Sequence, residues 1–499
     1  MELLNNLALG FSVALTMQNI MYCFIGVMLG TMIGVLPGIG PIATISMLLP
    51  ATFVLPPVSA LIMLAGIYYG ASYGGSTTAI LVNLPGEVSS VVTCIDGHQM
   101  AKQGMAGKAL GVAALGSFFA GCVATVLIAA FAPPLAELAL KFGPADYFSL
   151  MVLGLIAAVV LAHGSLIKAI AMIVLGLLIG LIGTDVNSGV ARYSFGLPEL
   201  IDGIGIGTIA MGTFGFSEII RNLEKGESRE VFAKSIEGLL PNWKDIKQCA
   251  MPVLRGTSLG AALGILPGGG PTLGSFSAYT LEKKVSDHPE RFGKGAIEGV
   301  AAPESANNAA SQTSFIPLLT LGIPSNPVMA LMIGAMIIHG IQPGPQIMTA
   351  KPDLFWGMIA SMWVGNLLLV ILNLPLIGMW VKLLTLQYRF LYPAILLFCC
   401  IGVYSISNAT MDVYMAALFG FIGYTFLKLD CEPAPLLLGF VLGPMMEENL
   451  RRALLLSRGD PTVFFTRPIS LTLLVISLVL VVIVVSPAIA RKREEAFQE

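Results

Sequence analysis

Charge is what this sequence has least of. Of 499 residues, 27 are Lys or Arg and 29 are Asp or Glu, 11% of the chain, against about a quarter in ordinary globular domains. A net charge of −2 argues against a nucleic-acid or other strongly charged partner. No Lys or Arg precedes Lys102, so the segment MELLNNLALGFSVALTMQN lacks the positive n-region of a cleavable signal peptide and reads as a retained amphipathic or membrane helix. The seven cysteines (Cys23, Cys94, Cys122, Cys249, Cys399, Cys400 and Cys431) form no CxxC pair and read as small hydrophobes. There is no GxxxxGK[ST] phosphate loop, no HExxH and no Cys/His ligand cluster, which excludes P-loop ATP hydrolysis and argues against a zinc enzyme. GIGIGTIAMG, from Gly203, has no βαβ setting and is discounted as a nucleotide fingerprint. No periodic Arg series suggests a voltage sensor, and no credible acid–base pair suggests a membrane enzyme.

What the chain has is apolar length. Fifty-six per cent is hydrophobic and the mean hydropathy is +0.84. At about 20 residues per span, that composition supplies an all-α polytopic membrane protein of about 10–14 membrane segments. Apolar runs fall near 18–36, 42–66, 108–132, 146–163, 166–185, 256–266, 326–341, 355–384, 391–407, 410–427 and 468–490, with weaker Gly-rich candidates near 200–220 and 433–447. The polar stretch 221–255 carries seven Lys or Arg, the tail opens with Arg491, Lys492 and Arg493, and Glu282 to Lys294 is a second charged patch. Basic residues near span ends favour the cytoplasm, where all three are expected. The expected organisation is 1–17 N-terminal helix, 18–220 first transmembrane repeat, 221–255 cytoplasmic linker, 256–450 second repeat, and 451–499 C-terminal helix and basic tail.

The division into repeats rests on GVLPGIGP (Gly34 to Pro41) and GILPGGGP (Gly264 to Pro271), identical at six of eight positions. Downstream, YYGASYGGSTTAI (Tyr68 to Ile80) can be laid against ESANNAASQTSFI (Glu304 to Ile316), and each half then reaches a proline turn, NLPGE (Asn83 to Glu87) and GIPSN (Gly322 to Asn326). Gly/Pro-interrupted apolar segments at corresponding places in two halves point to a secondary transporter built from repeats, often inverted, with its site at the interruptions.

Pro37, Gly38, Gly40 and Pro41, with Pro267, Gly268, Gly270 and Pro271, break the helix twice. Pro85 and Pro324 mark the later turns. Such breaks survive in a bilayer only when buried in protein or lining a wet cavity. They leave free N–H groups suited to anions and free carbonyls, at Gly38, Gly40, Gly268 and Gly270, suited to a cation. Ser72, Ser76, Thr77, Thr78, Ser305, Asn307, Asn308, Gln312, Thr313 and Ser314 are neutral groups able to hold carboxylate oxygens without burying a cation; Ser311 lies in the same run. They could equally be glue between helices, although the paired amides of Asn307 and Asn308 need partners in an apolar setting. Glu304 is a candidate to neutralise a coupling cation and Asn83 to bind one, or else Glu304 is a first-turn acid behind Pro303. Asp96 and His98 read as an interfacial turn, and Asp185, Asp202 and His163 are weaker candidates.

The two LPGxGP turns, the segment GILPGGGPTLGSFSAYTLEKK and the string FGKGAIEGVAAPESANNAASQTSFIPLLTLGIPSNPVMALM resemble the large membrane subunit, the TctA family, of the tripartite tricarboxylate transporters. The resemblance covers about residues 15–465. It implies a multi-pass protein of the bacterial inner membrane, two inverted repeats with re-entrant hairpins, and an elevator-type carrier. It implies cation-coupled uptake, on Na⁺ or H⁺ and with no other cofactor, of citrate-like tri- and dicarboxylates. It also implies a small four-span membrane subunit and a periplasmic solute-binding protein as partners, leaves room for a homo-oligomer, and places the site at the LPGxGP turns and the runs 72–78 and 305–314. The alternative from a different class is a passive organic-anion channel or a scaffold subunit. A channel calls for a continuous polar path, a carrier for one closed polar island.

Overall fold

In hydrocarbon every backbone N–H and C=O must be satisfied within its own segment, and this chain answers with helices. The computed structural model describes residues 2–36, 40–161, 165–185, 188–225, 236, 238–266, 270–384 and 388–485. Among these the fold is all-α apart from one short hairpin, β1 Gly183–Thr184 antiparallel to β2 Ala191–Arg192.

The chain begins with α1 Glu2–Ala14, α2 Met17–Val35, α3 Pro41–Thr52, α4 Pro57–Val82, α5 Val91–Lys102 and α6 Ala106–Ala139. α7 Pro144–Leu161 and α8 Leu166–Gly180 precede the hairpin; α9 Ile206–Ala210 and α10 Ser217–Lys225 follow it, joined by a π-helical stretch, Met211–Phe216. Next come α11 Trp243–Ile265, α12 Gly270–Val285, α13 Glu298–Thr313, α14 Phe315–Leu321, α15 Pro327–Ile338, α16 Ile347–Ala350, α17 Pro352–Asn373 and α18 Ile377–Leu384. The last are α19 Tyr388–Ser407, α20 Thr410–Lys428, α21 Pro433–Leu456, α22 Val463–Thr466 and α23 Pro468–Val485.

Four described helices are long and apolar enough to cross a bilayer (Met17–Val35, Ala106–Ala139, Pro352–Asn373 and Thr410–Lys428), and five shorter helices are also apolar. The membrane segments are more broken than the apolar runs suggest. The run 42–66 divides between α3 and α4 at Pro56-Pro57, and 355–384 divides into α17 and α18. Part of the expected linker 221–255 is helical, since α10 runs to Lys225 and α11 begins at Trp243. α11 starts at Trp243 because Asn242 and Asp245 close a capping box, each side chain accepting the other's backbone N–H at 3.0 and 3.1 Å.

Two helices form the centre. α4 is buried continuously from Ser59 to Leu81, and α13 from Gly299 to Thr313. Each is gripped by the helix that precedes an LPGxGP break. Gly26, Gly30 and Gly34 of α2 face the carbonyls of Met63, Ile67 and Ala71 on α4; a Cβ at those glycines would lie 2.2, 2.4 and 2.3 Å from the oxygens. Gly256, Gly260 and Gly264 of α11 face Ala302, Ala306 and Ala310 on α13 in the same way, at 2.2, 2.2 and 2.4 Å. Small residues at every fourth position let two backbones touch, which is how helices associate where lipid offers no hydrophobic drive.

Candidate functional site

The same glycine grip brings the two polar runs face to face. Ser72 of α4 and Ser311 of α13, 239 residues apart, meet with their hydroxyl oxygens 3.4 Å from each other. Both are fully buried. The same offset relates what surrounds them. Asn83 and Gly322 end α4 and α14 in the left-handed conformation, at φ 59° and 70°. Pro85 and Pro324 follow. Glu87 then caps the short 3₁₀ turn Val88–Ser90 that leads into α5, and Asn326 caps α15 by accepting the Met329 N–H at 3.0 Å. Each cap crosses to the opposite helix: the Asn307 amide donates to Glu87 Oε1 at 3.2 Å, and the Asn326 amide donates to the Tyr68 hydroxyl at 3.2 Å and to Ser314 Oγ at 3.0 Å.

The helices after the two breaks close the ends. α3 packs against α15, and α12 packs against the turn Val88–Ser90. Gly270, at φ +58°, is beside Asn326, whose Cβ is 3.5 Å from where a Gly270 Cβ would stand. The N-terminus of α12, at Gly270, and that of α15, capped by Asn326, therefore border the island with the positive ends of their dipoles.

Glu304 is the most buried acid of this group, with no exposed surface. Ser76 donates to Glu304 Oε2 and Thr93 to Oε1. Among the described residues no Lys, Arg or His pairs with Glu304 or Glu87. A carboxylate held only by neutral hydroxyls in an apolar interior has to take its compensating charge from something else.

The structure divides the residues expected to hold ligand. Ser72, Ser76, Asn307, Ser311, Ser314 and Glu304 gather along the α4–α13 seam. Asn308 and Gln312 face the other way. Asn308 donates to Ser117 of α6 at 2.7 Å, while Gln312 donates to Asn366 of α17 at 2.8 Å and accepts from Thr125 of α6 at 2.6 Å. Ser305 bonds back to Ala301 and lies against Gly116 of α6. These three side chains make their contacts with α6, α17 or their own helix and not across the α4–α13 seam. Thr78 donates to the Val35 carbonyl at 2.8 Å and Ser314 to that of Gly264 at 3.3 Å, satisfying backbone oxygens just before each break. Thr313 bonds to Ala309 in its own helix, Thr77 is buried in α4, and Asn83 is exposed, away from the island. Gly40's carbonyl already accepts Thr44's N–H and hydroxyl, at 3.3 and 3.1 Å, so its lone pairs are engaged. Pro41 and Pro271 sit in the first turns of α3 and α12. Pro37, Gly38, Pro267 and Gly268 lie outside the described residues.

Asp96 and His98 are not in an interfacial turn. Both are buried in α5. Asp96 Oδ1 accepts the N–H groups of Gly295 and Ala296 at 2.8 Å each, and Oδ2 accepts the Tyr279 hydroxyl at 2.9 Å, tying α5 to α12 and to the start of α13. This is a positioning latch for the helix that carries Asn307. The sequence reading passed over Glu87, Asn326, Tyr68 and Thr93 as site residues. The first two were visible as the last letters of NLPGE and GIPSN. The signal that could have found them is helix capping three residues before the backbone N–H each one caps. Elsewhere, a cavity of about 230 Å³ lies between α8, the β hairpin and α21, lined by Asp185, Arg192, Asp202 and Glu447 among others. Of these, Arg192 pairs with Glu447 at 2.8 Å and Asp185 with Arg451 at 2.9 Å.

The tripartite tricarboxylate transporter TctA family model matches residues 20–438. The chain is 61% identical over its full 499 residues, and over 99% of the relative, to the "Uncharacterized 52.8 kDa protein in TAR-I ttuC' 3'region" of Agrobacterium vitis. It is 62% identical over 240 residues, 48% of this chain and 99% of the relative, to the "Uncharacterized protein in TAR-II ttuC' 3'region" of the same organism. No solved structure matches the chain.

Proposed function

Because the chain belongs to the tripartite tricarboxylate transporter TctA family, and so is a membrane transport component and not an enzyme, we propose that it is the cation-coupled carrier of citrate-like tri- and dicarboxylates across the bacterial inner membrane. It receives its substrate from a periplasmic binding protein and works beside a small membrane subunit. The two halves are inverted repeats whose broken helices form re-entrant hairpins, and the hairpins move together as an elevator. What carries this reading is the pairing of Asn307 with Glu87 and of Asn326 with Tyr68 about the Ser72–Ser311 contact.

In this mechanism the Asn326 end takes the substrate carboxylates. Its amide, the Tyr68 and Ser314 hydroxyls, and the N-termini of α12 and α15 are all neutral donors. They can hold a carboxylate and release it again, which a buried Arg would resist. The anion's remaining charge is offset by cations that travel with it, Na⁺ or H⁺, with Glu304 carrying one of them. At an inside-negative potential each net positive charge moved inward gains about 2.3 kcal/mol per 100 mV. A trivalent anion therefore needs more than three monovalent cations before the potential assists. Ser72, Ser311, Asn307 and Glu304 are each fully buried. That closure supports the carrier over the passive channel, which requires an open polar path.

The test is uptake of radiolabelled citrate into proteoliposomes holding this chain and its small partner, with the binding protein outside. Asn326→Ala removes one amide donor and frees the cap of α15; the expected loss of uptake is about ten-fold or more, the size of a charge-assisted hydrogen bond. Uptake at the wild-type level by Asn326→Ala would remove the substrate from this end.

A further inference from the structure

The two ends of the polar island occupy corresponding positions but differ in one respect. The cap of α15 is the neutral amide of Asn326; the cap at the start of the turn before α5 is the carboxylate of Glu87. Facing them, the neutral cap meets a phenol, Tyr68, and the acidic cap meets an amide, Asn307. The ends are thus chemically polarised, one rich in donors and the other in oxygen acceptors.

At the acidic end one group has no partner. Asn307 is fully buried, and its Nδ2 donates to Glu87 Oε1, yet its Oδ1 accepts nothing. The amide head lies against Glu87, so this orphan oxygen belongs to the same cluster. Leaving a buried amide oxygen unsatisfied costs about 1–3 kcal/mol. Ser311 Oγ donates to the main-chain carbonyl of Asn307 at 2.9 Å and lies 3.4 Å from Ser72 Oγ, and Ser72 is in turn adjacent to the Glu87 carboxyl, whose Oε1 also accepts from the Ser89 hydroxyl. Gly75 makes the space: a Cβ there would lie 3.1 Å from Glu87 Cγ. Glu87 itself is half-buried.

We propose that Glu87, Asn307, Ser72 and Ser311 form a binding site for a hard monovalent cation, Na⁺, set apart from the substrate end at Asn326. The donors are a carboxylate, an amide carbonyl and two hydroxyls, all hard oxygens without sulfur or imidazole. One carboxylate balances one positive charge. A divalent ion would call for a fuller oxygen cage, as Ca²⁺ with its six to eight ligands does. The proposal rests on the carrier reading for its meaning, since it assigns one of the coupling ions, a Na⁺, to Glu87 rather than to backbone carbonyls. Glu304 is a different carboxylate, its two oxygens each taken by one hydroxyl.

The experiment is equilibrium binding of radiolabelled Na⁺ alone to the purified full-length chain in nanodiscs, with no carboxylate and no partner present. Glu87→Gln keeps the shape and a capping oxygen; it is expected to weaken Na⁺ binding by at least the 10–100-fold, roughly, that even a supporting partner contributes to a metal site. Ser72→Ala is expected to weaken it less. Asn326→Ala should leave Na⁺ binding as in the wild type while lowering citrate uptake. Size-exclusion profile and melting temperature establish that each variant is folded. Should Glu87→Gln not fold, Ser72→Ala together with Asn307→Leu reads the same site. Wild-type Na⁺ affinity in the Glu87 variant, loss of binding in Glu304→Gln alone, or no Na⁺ binding by the wild type would each overturn the proposal. If citrate uptake fails while Glu87-dependent Na⁺ binding persists, the substrate reading falls and the ion site stands.

Discussion

Glu304→Gln is expected to abolish gradient-driven citrate uptake while leaving the protein folded and in the membrane. The wild-type carboxylate is fully buried in α13 and held by the hydroxyls of Ser76 and Thr93. Hydroxyls rotate, so either can turn to accept from the new amide, and the substitution keeps shape and hydrogen bonding. What it removes is the capacity to take a proton or bind a cation. Losing a buried charge interaction costs about 3–5 kcal/mol, a factor of roughly 100 or more in a rate. The measurement is initial uptake by matched amounts of wild-type and variant protein in proteoliposomes. Uptake within two- or three-fold of wild type, roughly one RT of free energy, would show that Glu304 is only a first-turn acid behind Pro303.

Gly260→Val has the second large effect, on assembly instead of transport. A Cβ at Gly260 would lie 2.2 Å from the Ala306 carbonyl oxygen and 2.5 Å from its Cα, both backbone atoms of α13. Neither can swing aside, so α11 and α13 must separate. Overpacking a well-fitted core costs about 1–3 kcal/mol, and here the flanking contacts at Gly256 and Gly264 are pried open as well. The variant is expected to lose its monodisperse size-exclusion peak. Ser258→Val, on the exposed face of the same helix, is the control and is expected to behave as wild type. A well-folded Gly260→Val protein would mean that α11 and α13 are not in backbone contact.

These two residues also show what the sequence makes legible. The LPGxGP breaks follow from the local chemistry of Pro and Gly, and α2 ends at Val35 while α3 starts at Pro41 as that chemistry requires. The small-residue rows are also local in origin, since Gly26-Gly30-Gly34 and Gly256-Gly260-Gly264 carry the four-residue spacing of a helix face. Register was harder. Laying Tyr68 against Glu304 follows residue type, but Ser72 meets Ser311, 239 residues on, the offset that already relates Asn83 to Gly322 and Glu87 to Asn326 in the two proline turns. The backbone roles recur while the residue identities do not: Asn and Gly both tolerate the left-handed cap, and Glu and Asn both accept an N-terminal N–H.

Which side of α13 matters was not readable either. Asn307 and Asn308 are adjacent letters about 100° apart on the helix, so one faces Glu87 and the other Ser117. Only the placement of α4 and α6 separates ligand candidate from glue. For the same reason Asp96, expected in an interfacial turn, is a buried latch. Its partners at Gly295, Ala296 and Tyr279 lie about two hundred residues away, beyond any local pattern.

The central claim is that this chain uses a cation gradient to concentrate a carboxylate. The direct measurement is the steady-state level of radiolabelled citrate inside proteoliposomes containing the chain and its small partner, with the binding protein outside, under an inward Na⁺ or H⁺ gradient and without one. The account predicts accumulation above the external concentration only when one of those gradients is imposed, and its collapse when an ionophore dissipates that gradient. Equilibration to the external concentration under every condition would contradict it and make the protein a passive path.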